Sequence, residues 1–130
     1  MTQQTNGGDV LSQLRALRTA TAKRFELGKI VATPPALARL AKHGFNADDL
    51  IARHLSGDWG DVSETDARRN EQALTSGSRL FSVYRLAETM WLQSMPRTER
   101  SRLPTIWIET TAANESGGRE ATTILCPEDW

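Results

Sequence analysis

At 130 residues the chain has one domain's length, and a domain of that size buries roughly two thirds of its unfolded surface, which leaves no room for a second independent core. A composition 38% apolar and 25% charged excludes wholesale disorder, and no apolar run approaches the ~20 residues that span a bilayer. The zero formal net charge argues against a DNA mimic and against retention on nucleic acid by bulk charge, while the single Cys126 excludes an internal disulfide and a cysteine-rich zinc site.

Residues 1–8 are polar, lack the basic-then-apolar order of a signal peptide and read as a flexible leader of a cytoplasmic protein, before a single domain over 9–130. Asp9 is placed to cap an extra helix over 9–24, in which Val10, Leu14, Leu17 and Thr21 recur at helical spacing. Its Arg15, Arg18, Lys23 and Arg24 form a candidate basic helix, and its apolar stripe suits docking on the body, on another chain or on a second copy as a homodimer.

From Phe25 to Thr33 the alternation predicts a strand with Gly28 as a bulge or a close approach. Thr33 before Pro34 predicts a helix start, with Leu37, Leu40 and Ala41 inward and Gly44 as the stop. Asn46 opens a second helix carrying Leu50, Ile51 and Leu55 to Gly57. After the tight Gly57–Asp61 turn, Ser63 and Asp66 make a near capping box for a third helix through Ala67, Asn70 and Leu74 to Gly77. Residues 79–86, 105–110 and 121–125 are rich in β-formers, with a turn over 114–118. This order predicts an α+β fold: an antiparallel sheet of about four strands, three short helices on one face, and the N-terminal helix. Basic residues crowd the stretch before Phe45 and acidic ones the stretch from Asn46 to Ser78, blocks expected to pair across the folded surface.

The ordered motifs Phe25–Pro34, Arg53–Asp61, Gly77–Leu80, Ser82–Tyr84, Ile106–Ile108, Ala121–Leu125 and Pro127-Glu128 resemble a family of small proteins carried by bacterial plasmids, phages and integrative elements, some labelled restriction–modification subunits. The resemblance covers about Phe25 to Trp130 and brings no activity or catalytic residue with it. Against the family's pattern, the 9–24 helix is extra and the inserted connection over 87–104 replaces a short hairpin turn. The mobile-element context implies an inhibitor of a host defence complex, a CRISPR effector or a restriction enzyme, acting as an anti-CRISPR or anti-restriction protein.

For a methyltransferase the glycine-rich turn after a strand is missing. His54, Asp58 and Asp61 have ligand chemistry but match no metal spacing, and His43 suits a helix C-terminus. Cys126, Ser78 and Ser82 have no activating base nearby in sequence, and Glu64, Asp66 and Glu109 pair only if folding joins them. The expectation is therefore no catalytic residue, no cofactor and no metal. Candidate partner-binding residues are Met90, Trp91, Leu92 and Met95 with the rim Arg97, Arg100 and Arg102, either an exposed contact or a flap over the open face of the sheet. Trp59 plugs the helical layer or anchors a partner, Trp107 is expected in the core, and Tyr84 is expected near the sheet edge. The reading is a non-catalytic binding protein acting by protein contact; the alternatives are a nucleic-acid-binding accessory or regulatory protein and a small enzyme.

Overall fold

The computed structural model describes residues 24–130. Along them run β1 (Lys29–Ala32), α1 (Pro34–Lys42), α2 (Ala47–Leu55), α3 (Glu64–Ser76), β2 (Leu80–Arg85), α4 (Thr89–Ser94), α5 (Arg97–Arg100), β3 (Thr105–Thr110), β4 (Ala121–Leu125) and a 3-10 turn at Pro127–Asp129. The expected helix over 9–24, with Arg15, Arg18 and Lys23, lies outside the described residues. None of the described helices is long and apolar enough to cross a membrane.

The first three helices begin where short polar side chains satisfy free amides. Thr33 accepts from the Ala36 amide, Asn46 from that of Asp48 and Ser63 from that of Asp66. Gly77 ends α3 in the left-handed region at φ 82°. Ala36 and Leu40 are the buried residues of α1, whereas Leu37 and Ala41, also expected to point inward, are exposed.

The fold is α+β, but the four-stranded sheet is mixed rather than antiparallel. Its order is β1-β4-β3-β2, with β4 and β2 antiparallel to β3 and β1 parallel to β4. Parallel pairing requires a long crossover between partners, and everything from α1 to the turn after β3 separates β1 from β4. The first strand is also shorter than its apolar alternation predicts. Phe25 is buried among Leu55, Trp59, Ala73 and Leu80 instead of joining the ladder. Gly28, at φ 66°, lies so close to the Arg119 carbonyl that no Cβ would fit, so the close-approach reading applies.

The inner face of the sheet carries Ser82, Tyr84, Ile106, Ile108, Thr122 and Ile124, all buried. Ala36 and Leu40 of α1 and Leu50 and Ile51 of α2 close over Tyr84, Ile106, Ile108 and Ile124, while Ala73 of α3 packs with Leu80. Each fully buried aliphatic side chain contributes roughly 1.5–3 kcal/mol, so this face supplies most of the hydrophobic driving force. Tyr84 points inward rather than to the edge, and its hydroxyl donates to the Asp58 carbonyl at 2.6 Å.

The outer edge of β2 is sealed without another strand. The Asn70 side chain of α3 donates to the Phe81 carbonyl and accepts from the Phe81 amide, imitating a ladder partner. Next along, the Val83 amide donates to the Trp59 carbonyl and the Asp61 amide to the Val83 carbonyl. Gly60 lies between them at φ 75°, against the Val83 carbonyl, where no Cβ would fit. A covered edge removes the template on which a second chain would pair.

Candidate functional site

Two surfaces of the described chain combine exposed apolar groups with cations: the α4–α5 arm and the outer face of the sheet. The 87–104 connection forms the arm. Neither of its helices contains a buried residue. Leu92 is half-buried and lines a small cavity with Tyr84, Arg85 and Arg100, whereas Met90 is 66% and Trp91 61% exposed. Trp91 therefore does not act as a flap over the sheet. Trp91, Ser94, Met95 and Glu99 border a second depression between the two helices.

Arg100 is not a free rim cation. It donates to both oxygens of Asp61 at 3.0 and 3.1 Å and to the Met95 carbonyl at 2.7 Å, while Arg85 donates to the same carboxylate at 2.9 Å. Burial alone raises the Asp61 pKa, but the two guanidiniums outweigh it and hold the carboxyl below its ordinary range. This pair of guanidiniums on one carboxylate ties the arm to the β2 edge. Arg97 and Arg102 remain exposed.

Trp59 is a plug rather than a partner anchor. It is 5% exposed, stacks on Phe25 at 6.2 Å and donates its indole N–H to Glu71 at 2.9 Å. Glu71 also receives two bonds from Arg24, so Arg24 is spent on an ion pair and is not a free cation of a basic helix. Its pairing joins the basic and acidic blocks as expected, but Arg39 pairs with Glu128, outside the acidic block.

The residues with catalytic or ligand chemistry are dispersed or sealed. Asp58 is held by Arg53 at 2.7 Å and Asp61 by Arg85 and Arg100. His54 is fully buried, so the three residues weighed as a metal set do not converge. Among the described residues no group of three His, Cys, Asp or Glu is placed to hold a metal ion.

His54 does bring a hydroxyl within reach. Its Nδ1 lies 2.6 Å from Ser82 Oγ, and its Nε2 lies 2.9 Å from Thr110 Oγ1. Thr110 continues to Thr122 at 2.7 Å, and Thr122 donates to the Leu27 carbonyl. A hydroxyl on an imidazole has the outline of a nucleophile and its base, yet both are fully buried and the relay ends on a carbonyl rather than a carboxylate. Desolvation, helped by the nearby charge of Arg119, pushes the His54 pKa down to about 3, so the ring is neutral. The arrangement suits a satisfied core network better than a reaction centre.

The outer sheet face was not legible as a site in the sequence. Trp107, expected in the core, is half-buried on this face, where it packs edge-on to Phe81 at 5.0 Å and Trp130 at 6.0 Å. Arg79 lies over both the Phe81 and Trp130 rings and pairs with Glu109. A groove of about 1010 Å³ runs from Phe81, Val83, Arg85 and Trp107 to the rims formed by α1, the 101–105 segment and Glu128. The available signal was the second alternation in 79–86, where Phe81, Val83 and Arg85 interleave with the inward Leu80, Ser82 and Tyr84. No family model, no curated protein and no solved structure matches the chain.

Proposed function

We propose that this chain is a non-catalytic binding protein of a mobile genetic element that inhibits a host defence complex, a CRISPR effector or a restriction enzyme, by protein contact in the cytoplasm. The observation that carries the contact is Trp91, 61% exposed beside the 66% exposed Met90 on a helix with no buried residue. A folded protein gains no stability from leaving an indole in water, whereas tryptophan is enriched among the residues that dominate interfaces. Arg97 and Arg102 supply the polar rim, and Asp61 and Arg100 hold the arm in place before any partner arrives, which lowers the ordering cost of binding. The defence target is supported by the motif order that resembles mobile-element proteins.

The test is phage plating on strains with defined restriction or CRISPR systems, with and without expression of the chain. Wild type is expected to raise plating efficiency on at least one strain. Met90→Ala with Trp91→Ala is expected to abolish that rescue, with partner binding weakened about 30-fold or more and thermal unfolding nearly unchanged. Rescue by the double variant would move the contact off α4, and no rescue by wild type on any strain would remove the defence reading.

A further inference from the structure

The outer face of the sheet carries an aromatic floor beside uncompensated positive charge. The Phe81, Trp107 and Trp130 ring centroids lie 5.0–6.0 Å apart with their planes at 68–87°, Arg79 lies over the Phe81 and Trp130 rings, and Trp130 is 63% exposed. The groove of about 1010 Å³ meets a second cavity of about 360 Å³, and Phe81, Trp107 and Asp66 line both. Together they exceed the roughly 300–1,000 Å³ of a usual small-molecule pocket and form a track rather than a single-ligand cup.

The acids along this track are already neutralised. Glu128 pairs with Arg39, Asp61 with Arg85 and Arg100, and Asp66 with Arg69. Lys42, Arg97 and Arg102 also line the groove and form no ion pair among the described residues. The track therefore has a cationic surplus although the whole chain is neutral.

We infer that this face binds single-stranded nucleic acid, with an unpaired base stacked on the exposed Trp130 beside the Trp107–Phe81 edge and phosphates held by Lys42, Arg97 and Arg102. An unpaired strand offers ring faces and negative charge at short, regular spacing, which suits both halves of the surface. A duplex hides its ring faces within the stack, and an acidic peptide would satisfy the cations but not the aromatic floor. The aromatic cluster lies apart from Met90 and Trp91, whereas Arg97 and Arg102 border both surfaces, so the tryptophan variants distinguish this inference from the protein-contact reading.

The test is fluorescence anisotropy with an end-labelled oligothymidylate of about 12 nucleotides, within the roughly 4–16 that such grooves cover. The full chain is expected to bind it and to weaken as salt rises. Trp107→Ala and Trp130→Ala are each expected to weaken binding about tenfold. Trp130 is exposed, so its variant reads the stacking even if Trp107→Ala unfolds. Arg97→Gln with Arg102→Gln is expected to lower the salt slope by about 0.7 for each phosphate contact removed. Trp91→Ala should leave the affinity unchanged, which separates this site from the Met90–Trp91 contact. No binding at low salt, equal affinity for a duplex, indifference to Trp130→Ala, or displacement by polyglutamate at equal charge concentration would each overturn the inference, the last in favour of an acidic protein.

Discussion

Between pH 6.5 and about 4.5 the protein is expected to lose stability at about 1.4 kcal/mol per pH unit, a total of about 2.5 kcal/mol, through His54 alone. The unfolded chain binds a proton at this ring near pH 6.5, whereas burial and the Arg119 charge hold the folded pKa at about 3. Acid therefore favours the unfolded state, and the contribution is complete only above the unfolded value. Asp61, Glu71 and Glu128 all have depressed folded pKa values, so their stabilisation is lost at lower pH, through the carboxylate range. Urea unfolding from pH 7 to 4.5 isolates the first window from the second. His54→Gln should flatten the upper one, and a wild-type profile already flat there would show that the ring is not held neutral. Against a typical total of 5–15 kcal/mol this is a large effect.

Arg119→Met should destabilise the protein by about 3 kcal/mol at neutral pH, lowering the melting temperature by roughly 12 °C. Arg119 is 8% exposed, and its guanidinium donates to the carbonyls of Ala73, Ser78 and Thr111 at 2.7–3.0 Å, fastening the end of α3 and the start of β2 to the β3–β4 connection. Burial lowers its pKa, a measure of what desolvation costs it, but methionine would keep the stem's packing and leave those carbonyls with fewer donors. Arg119→Lys should recover only part of the loss because one ammonium cannot span three acceptors in fork geometry. A loss below about 1 kcal/mol in calorimetry would mean that water replaces the guanidinium without penalty.

The inserted 87–104 connection and the aromatic floor differ in how they can be read. Met90 and Trp91 stand out in a chain segment too long for a turn, and the structure leaves both exposed. The floor is assembled from Phe81, Trp107 and Trp130, which lie on two strands and at the end of the chain. Ring proximity across such separations depends on strand register, which no local pattern encodes. Arg100 and Trp59 depend on partners remote in the chain, Asp61 and Glu71, so from sequence an arginine beside apolar residues looks like a rim, and a tryptophan in a loop leaves plug and anchor both open.

By itself the sequence determined the starts of the first three helices, the stop at Gly77 and the ranges of β3 and β4, because caps, glycines and β-branched runs act over a few residues. Only the tertiary structure decided that β1 runs parallel to β4, that His54 joins Ser82 and Thr110, and that an aromatic floor opens on the outer face. These depend on contacts between residues far apart in the chain. Their geometry follows from how three helices pack on one sheet face, and local propensity carries no record of it.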